Sequence, residues 1–201
     1  MNTGSIEDSR ILDGSRVCPW QRARHFDNFL RPLIHKPAKL FGPYVRPGMT
    51  VLDVGCGGGF ASLGLARLVG KDGLVFSADL QPEMLEIVHE RATGAGLLDR
   101  IRLHRCEPHR IGLQARVDFA VAFYMVHEVP DSRAFLAEVC ALLNPGGRFF
   151  IAEPKVHTSR SDFERLLEEA RETGFSVMGT PKARLSRTVV LEKVLAAGAG
   201  S

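Results

Sequence analysis

Two groups of residues in this chain are of types that carry chemistry. The first is the glycine-rich run 55–59, which directly follows the apolar stretch Val51–Val54. Glycine leaves the backbone free to turn and lets a ligand approach it closely, so this run predicts a ligand-binding turn. The second is His127 beside Glu128, a tightly spaced acid–base pair that follows the apolar run 117–123. Such a histidine takes a proton from a nucleophile or holds a loop by hydrogen bonding, and the sequence leaves both roles open.

The glycine spacing indicates which ligand the turn binds. A dinucleotide fingerprint requires G-x-G-x-x-G/A, and Gly55 with Gly57 satisfies its first half. The third position is Phe60, whose bulk prevents the close helix–strand packing that glycine allows there. The actual series is Gly55, Gly57 and Gly59, preceded by Asp53. A nicotinamide-dependent oxidoreductase is therefore disfavoured, although it stays an alternative.

A second acidic residue supports a nucleoside site. Asp79 lies 20 residues beyond Gly59 and follows Leu74–Ala78, which predicts a strand. An acid at the carboxyl end of the second strand is placed to accept hydrogen bonds from a ribose diol. Together with the glycine turn, it favours an adenosine-binding site.

The elements that position these residues alternate between strand and helix. The predicted strands are 51–54, 74–78, 101–105, 117–123 and 149–153, followed by a final pair at 175–178 and 188–194. Five strand–helix alternations followed by a strand pair predict an α/β fold. Its sheet is doubly wound, mostly parallel and seven-stranded, with helices on both faces and an antiparallel C-terminal strand pair. Asp131 is predicted to cap the helix that follows the fourth strand, and residues 144–148 are predicted to form a turn. Ser161 and Glu164 are predicted to form a capping box at the start of the helix that follows the fifth strand.

Four strand-end motifs carry a family resemblance over residues 45–195. They are T-V-L-D-V-G-C-G-G-G-F at 50–60, D-L-Q-P-E-M-L-E at 79–86, the segment 124–131 after the fourth strand, and L-x-P-G-G-x-apolar at 143–149. The first resembles motif I of the class I, Rossmann-like S-adenosylmethionine-dependent methyltransferases, of the type 11/25-like group. The resemblance implies S-adenosyl-L-methionine as methyl donor and S-adenosyl-L-homocysteine as product, and hence an enzyme.

The resemblance also implies a set of cofactor-binding residues. They are Asp53, Gly55, Gly57, Gly59, Asp79, Leu80, Met84, Cys106, Glu107 and Phe123. In the family the glycine turn cradles the amino-acid half of the cofactor, and the residues at Leu80 and Met84 flank the adenine. Glu107 matches the acid that accepts from the adenine amino group, whereas Cys106 replaces the usual glycine.

The methyl acceptor is less well defined. We expect a small molecule, apolar or aromatic, contacted by Trp20, Phe26, Tyr124 and Glu128, with His127 as the candidate catalytic residue. A thiol- or metalloid-directed enzyme that uses Cys18 and Cys106, and a non-catalytic cofactor-binding or complex-subunit module, remain alternatives.

Composition sets the broad class. The 201 residues predict one domain with a tail and cap helices at 1–45, the cofactor-binding domain at 46–195 and a flexible tail at 196–201. Helices are predicted near 22–30 and 37–44, either as a lid or as plain packing. A net charge of +3 gives no argument for nucleic acid, and no run approaches the roughly 18 apolar residues that span a bilayer. Four dispersed cysteines without a C-x-x-C pair predict a cytoplasmic protein without a metal site. The oligomeric state is not predicted.

Overall fold

The computed structural model describes residues 35–194. Trp20, Phe26 and Cys18 lie outside the described residues, as do the predicted helix near 22–30 and the tail 196–201.

The described chain alternates between strands and helices, which are numbered here in chain order. The elements are α1 (Pro37–Phe41), β1 (Thr50–Val54), α2 (Phe60–Val69), β2 (Leu74–Asp79), α3 (Pro82–Gly94), β3 (Ile101–Arg105), β4 (Val117–Phe123), α4 (Ser132–Leu142), β5 (Leu143–Pro154), α5 (Arg160–Glu172), β6 (Phe175–Gly179) and β7 (Ser186–Lys193). Two short 3₁₀ helices, Leu98–Arg100 and Val126–Glu128, precede β3 and α4. Within residues 35–194, no helix combines the length and apolar character needed to cross a membrane.

The seven strands of residues 35–194 form one sheet in the order β3-β2-β1-β4-β5-β7-β6. The pairs from β3 through β5 are parallel, and β7 is antiparallel to both of its neighbours. Because β7 opposes β5 and β6 alike, it places its amino end at the edge where the parallel strands have their carboxyl ends. The predicted seven-stranded, mostly parallel sheet with its antiparallel C-terminal pair is confirmed.

The sheet is covered on both faces, which explains why its central strands are apolar throughout. In β4, Phe119, Val121 and Phe123 belong to the core under α1, α2 and α3. Ala120 and Ala122, on the opposite face, belong to the core under α4 and α5. A parallel sheet buried on both sides is expected to have such continuous hydrophobic strands.

Helix α1 packs on the face of the sheet. Phe41 is fully buried, and its ring lies 5.3 Å from that of Phe150 and 6.5 Å from that of Phe119, measured between centroids. Pro37 lies against Gly64 of α2, where a Cβ atom would come within 2.2 Å of the proline ring. Of the two roles left open for the segment 37–44, the structure shows packing.

The link between β3 and β4 differs from the prediction. No helix lies in residues 106–116, so the third of the five expected strand–helix alternations is wrong. The loop is held instead by the Glu138 carboxylate, which accepts the backbone N–H groups of Ile111 and Gly112 at 2.8 Å each. The buried side chains of Ile111 and Leu113 then fill the space beside α4.

The start of α5 is capped by a different serine from the one predicted. Ser159 is the N-cap, and its hydroxyl accepts from the Asp162 backbone N–H at 3.1 Å. The predicted box of Ser161 and Glu164 is wrong, because both residues lie within the helix and Glu164 pairs with Arg160 at 2.8 Å.

The predicted turn at 144–148 is an irregularity inside a longer strand. The β4–β5 register passes from Val117 opposite Leu143 to Phe119 opposite Arg148, so the intervening residues form a bulge. Asp131 caps α4 as predicted, accepting from the Ala134 N–H at 2.8 Å.

Candidate active site

The glycine turn is attached to the second strand of the sheet. Gly55, Gly57 and Gly59 all have positive φ angles, of 65°, 49° and 83°. The Gly57 N–H donates to a carboxylate oxygen of Asp79 at 2.9 Å, and the Cys56 N–H donates to the Ala78 carbonyl at 3.0 Å. The turn is therefore fixed against the carboxyl end of β2.

Asp79 organises the backbone around it. Its second carboxylate oxygen accepts from the Gln81 N–H at 3.0 Å, just before α3 begins. The side chain is 8% exposed and lies on the wall of the main cavity. One carboxylate thus holds the glycine turn and the start of α3 while presenting its charge to the cavity.

Two of the predicted cofactor residues lie away from the cavity wall. Asp53 is buried and accepts a hydrogen bond from the Ser62 hydroxyl at 2.5 Å, and Ser77 donates in turn to Ser62 at 2.7 Å. This chain of hydrogen bonds ties α2 to β1 and β2. Gly59 is the N-cap of α2, and a Cβ atom there would lie 3.1 Å from a Val88 methyl.

A cavity of about 620 Å³ opens at the carboxyl ends of β1 to β5. This size is within the usual range for cofactor and small-molecule sites. The predicted site residues that line it are Gly55, Gly57, Asp79, Leu80, Met84, Cys106, Glu107, Phe123, Tyr124, His127 and Glu128. The topology therefore gathers residues from five strand ends around one space.

The β3–β4 loop forms one wall of the cavity. Glu107 pairs with Arg110 through two hydrogen bonds of 2.6 and 2.9 Å, and the bond from Arg110 is the main reason that the pKa of Glu107 is lowered. The His104 side chain contacts the Ile111 carbonyl at 2.6 Å and holds the far end of the loop. Glu107 is thus an ionised hydrogen-bond acceptor that is already paired with Arg110 on the cavity wall.

Cys106 lacks the environment of a reactive thiol. Burial, the charge of Asp79 and the charge of Glu138 raise the pKa of its thiol to about 12. A nucleophilic cysteine requires a lowered pKa in electropositive surroundings. This environment argues against the thiol- or metalloid-directed alternative at Cys106, and Cys18 lies outside the described residues. Within residues 35–194, no cluster of three or more His, Cys, Asp or Glu side chains is suited to a metal ion.

His127 is held by a buried carboxylate that the sequence did not identify as functional. Glu153, at the end of β5, is 1% exposed and accepts from the His127 Nδ1–H. It also accepts from the Val126 N–H at 2.9 Å and the Thr158 hydroxyl at 3.2 Å. The imidazole therefore keeps Nε2 as its second proton-binding position, 3.8 Å from a carboxylate oxygen of Glu128.

The surroundings of His127 favour its protonated form. Burial by itself lowers the pKa of the imidazole, but the hydrogen bond to Glu153 and the charges of Glu153 and Glu128 outweigh burial. The pKa of His127 is therefore raised above its usual 6.5. On the other side, the ring of His157 stacks on His127 with centroids 5.5 Å apart and planes inclined by 5°.

Tyr124 has an unusual backbone conformation where β4 ends. Its φ of 65° lies in the left-handed region, which residues other than glycine adopt at an energetic cost. Its hydroxyl lies 2.5 Å from the Ser186 hydroxyl of β7 and 3.1 Å from Nε2 of the buried His35. Tyr124 therefore connects the cavity wall at the end of β4 to His35, which lies just before α1, and to Ser186 of β7.

Comparison with known proteins identifies the family. A family model described as a methyltransferase domain matches residues 46–189, which is more than half of the chain. The chain belongs to this family. A solved S-adenosylmethionine-dependent methyltransferase from Aquifex aeolicus aligns with a TM-score of 0.79 and 25% identity, covering 89% of this chain and 100% of that one. A protein from Methanococcus maripaludis aligns with a TM-score of 0.77 over 96% and 99% of the two chains, and at 18% identity it shows the fold alone.

Curated relatives are similar to part of the chain. The ubiquinone biosynthesis O-methyltransferase of Methylobacterium sp. (strain 4-46) is 35% identical over 111 residues, which cover 55% of this chain and 43% of that protein. The protein of the same name from Xanthomonas euvesicatoria is 32% identical over 105 residues, covering 52% and 43%. The matches therefore span less than half the length of these relatives.

The family's methyl donor is S-adenosylmethionine, and the residues of the cavity suit it. The glycine turn brings main chain to the edge of the cavity, and Asp79 presents a carboxylate for hydroxyl donors. Leu80 and Met84 supply apolar surface for an aromatic base. The family assignment removes the support for the nicotinamide-dependent alternative.

Gly55→Val is expected to abolish binding of S-adenosylhomocysteine. A Cβ atom at Gly55 would lie 2.7 Å from Cγ of Met125, so the turn or Met125 must move, and both line the cavity. The matched control is Gly96→Val, because Gly96 has nearly the same φ (64° against 65°) but no atom within 4 Å of the added Cβ. Both variants carry the backbone cost of about 1–2 kcal/mol. Calorimetric titration in which Gly55→Val binds as tightly as Gly96→Val would contradict this assignment.

Proposed function

We propose that the protein transfers the methyl group of S-adenosylmethionine to a hydroxyl oxygen of a small phenolic acceptor, with His127 as general base. The observation that carries the proposal is that His127, which lines the cavity, contacts the buried Glu153. It fixes the ring through Nδ1 and leaves Nε2 to accept a proton. The names of the curated relatives, which are O-methyltransferases, support oxygen as the methylated atom.

The proposed donor site uses the residues at the first three strand ends. Gly55 and Gly57 bind the amino-acid half of S-adenosylmethionine, Asp79 accepts from the ribose, and Leu80 and Met84 flank the adenine. The bound donor supplies a methyl group already activated by its positively charged sulfur. The protein's main task is then to hold the acceptor oxygen in line with that methyl group.

A base is needed because a phenol is neutral at physiological pH, with a pKa of about 10. His127 accepts the phenolic proton at Nε2 as the oxygen attacks. Glu153 stabilises the resulting imidazolium through Nδ1–H, in the way that a buried carboxylate supports a catalytic histidine. Glu128, 3.8 Å from Nε2, adds a second negative charge that favours the protonated ring.

The proposed acceptor site is formed by residues beyond the fourth and fifth strands. Tyr124, Pro154, Val156 and His157 line the same cavity as His127 and present aromatic and apolar surface. A flat phenolic ring is suited to such walls. Trp20 and Phe26 stay predictions for this site.

The pH dependence of turnover tests the role of His127. Neutral His127 is the active base, so kcat is expected to rise as pH passes through its pKa, which lies above 6.5. Glu153→Gln removes the charge that helps to raise this pKa, so the acid limb of the kcat profile is expected to move to lower pH. The measurement is the rate of S-adenosylhomocysteine formation with catechol as the probe acceptor, across pH 5 to about 9.

Glu128→Gln is the matched control for that experiment. It removes one negative charge near Nε2 of the ring. Of the interactions that shift the pKa of His127, the charge of Glu128 contributes least. We expect a shift in the same direction and of smaller size. An acid limb that stays in place in both variants would argue against His127 as the base. Tight binding of S-adenosylhomocysteine without methylation of any phenol would favour the non-catalytic module.

A further inference from the structure

A second, open cleft lies at the same edge of the sheet, between the start of α5 and the loop that joins β6 to β7. Its lining is strongly basic. The basic residues are Lys155, Arg160, Lys182, Arg184 and Arg187, and among the described residues that line it Glu164 is the one carboxylate. A concave surface of this composition attracts an anion.

Most of this positive charge is uncompensated. Glu164 is paired with Arg160 at 2.8 Å, which leaves no acid in the lining for the others. The side chains of Lys155, Lys182 and Arg184 are exposed, and within residues 35–194 they make no hydrogen bond or ion pair. Three free cations therefore face one cleft.

The cleft shares a wall with the main cavity. Lys155 lines the cleft, whereas its neighbours Pro154 and Val156 line the cavity. Ser186 lines the cleft, and its hydroxyl lies 2.5 Å from that of Tyr124, which lines the cavity. The cleft and the cavity are therefore adjacent, on either side of the residues 154–156 and the Tyr124–Ser186 contact.

The wall is also joined to the histidine–glutamate pair. The Arg187 guanidinium donates to the Thr158 carbonyl at 3.0 Å, and the Thr158 hydroxyl donates to Glu153 at 3.2 Å. Glu153 in turn holds His127. One residue, Thr158, thus separates the basic cleft from the carboxylate that orients the proposed base.

The loop that joins β6 to β7 carries Lys182 and Arg184, and hydrogen bonds hold it in a strained conformation. Leu185 has a φ of 60° and is 62% exposed, so its strained backbone is not explained by burial. Its carbonyl accepts from the Lys155 N–H at 3.0 Å, and the Ser186 hydroxyl donates to the Arg184 carbonyl at 3.0 Å. Strain maintained by hydrogen bonds in this way is typical of ligand-binding segments.

We propose that this cleft is a subsite for an anionic group, a carboxylate or a phosphate, carried by the small methyl acceptor. This inference rests on the proposed function, because it places the acceptor's reactive hydroxyl at His127. Lys155, Lys182 and Arg184 bind the anion in the cleft, while the ring of the acceptor lies over the shared wall with its hydroxyl on the cavity side. The acceptor is therefore an acidic phenol rather than a neutral one.

Two probes that differ only in a carboxylate test the inference, namely 3,4-dihydroxybenzoate and catechol. We expect wild-type kcat/KM to be about tenfold or more higher for the acid, because charge-assisted contacts are worth that much. In the double variant Lys182→Gln/Arg184→Gln we expect this preference to disappear through KM, with kcat for catechol unchanged. The matched control is Lys39→Gln/Lys71→Gln, which removes two exposed cations elsewhere on the surface and is expected to keep the preference.

A binding experiment separates this inference from the proposed function. Calorimetric titration with 3,4-dihydroxybenzoate in the presence of S-adenosylhomocysteine requires no methyl transfer, and only Lys182→Gln/Arg184→Gln is expected to weaken binding. Competition by benzoate against phenyl phosphate then distinguishes a carboxylate subsite from a phosphate subsite. Equal binding by wild type and the double variant would overturn the inference, whether or not the phenols are methylated. Salt-sensitive binding of a single-stranded RNA oligonucleotide, lost in the double variant, with no preference for the acidic phenol, would also overturn it.

Discussion

Replacing His127 by alanine is expected to lower kcat for methylation of a phenol by about 10²- to 10⁴-fold, the usual contribution of a positioned general base. The affinity for S-adenosylhomocysteine is expected to stay the same, because the imidazole contacts Glu153 and Glu128 rather than the glycine turn or Asp79. Turnover of catechol and calorimetric titration of S-adenosylhomocysteine measure the two quantities separately.

Two controls show whether the loss is chemical. His157→Ala removes the stacked imidazole, which is exposed, and is expected to have a much smaller effect on kcat. Imidazole added to His127→Ala is expected to restore part of the rate, since the deleted ring leaves a space of its own shape beside Glu153. Full activity in His127→Ala, or equal losses in both alanine variants, would contradict the assignment of His127 as the base.

Asp79→Ala is expected to weaken binding of S-adenosylhomocysteine by about 1–3 kcal/mol, roughly 5- to 150-fold in Kd. The substitution removes a charged acceptor from the cavity wall. It also leaves the N–H groups of Gly57 and Gln81 without the carboxylate that now accepts from both, so the glycine turn loses its attachment to β2. A lower Tm is therefore expected together with the weaker binding.

Asp53→Asn is the control that separates the effect of Asp79 on cofactor affinity from its effect on stability. Asp53 is a buried acid on the neighbouring strand that accepts from Ser62 and does not line the cavity. Its loss of charge is expected to change Tm while the Kd of S-adenosylhomocysteine stays that of the wild type. Unchanged cofactor affinity in Asp79→Ala, or an equal loss of affinity in Asp53→Asn, would contradict the placement of the donor site.

The sequence predicts the parts of the fold that depend on local patterns. The bounds of β3 and β4 agree with the prediction, since an alternating segment and an apolar run each begin directly after an arginine. The site residues at the ends of these strands could also be predicted, because parallel strands bring their carboxyl ends to one edge. Asp79 and Tyr124 line the same cavity for this reason, although they are 45 residues apart in sequence.

The features that the sequence did not predict depend on distant partners. Glu153 lies at the end of the apolar strand β5, and a buried carboxylate must be paired, but its partners Val126 and His127 lie 27 and 26 residues earlier. Only the sheet order brings them together. The loop 106–116 is similar, since Glu138 of α4 provides the hydrogen bonds that a helix would otherwise have made within itself.

The position of β7 inside the sheet has a consequence for folding during synthesis. Among the described residues β7 is the last strand, yet it lies between β5 and β6, and in the described sheet β6 pairs with β7 alone. Until residues 186–193 leave the ribosome, β5 has an open edge that carries Phe149, Phe150 and Ile151, and β6 has no partner. A stalled or truncated nascent chain that ends before β7 therefore exposes an unpaired apolar edge and is prone to aggregate. The contact between Ser186 and Tyr124 forms only when this last strand has been synthesised. We therefore expect a chain truncated before β7 to be inactive.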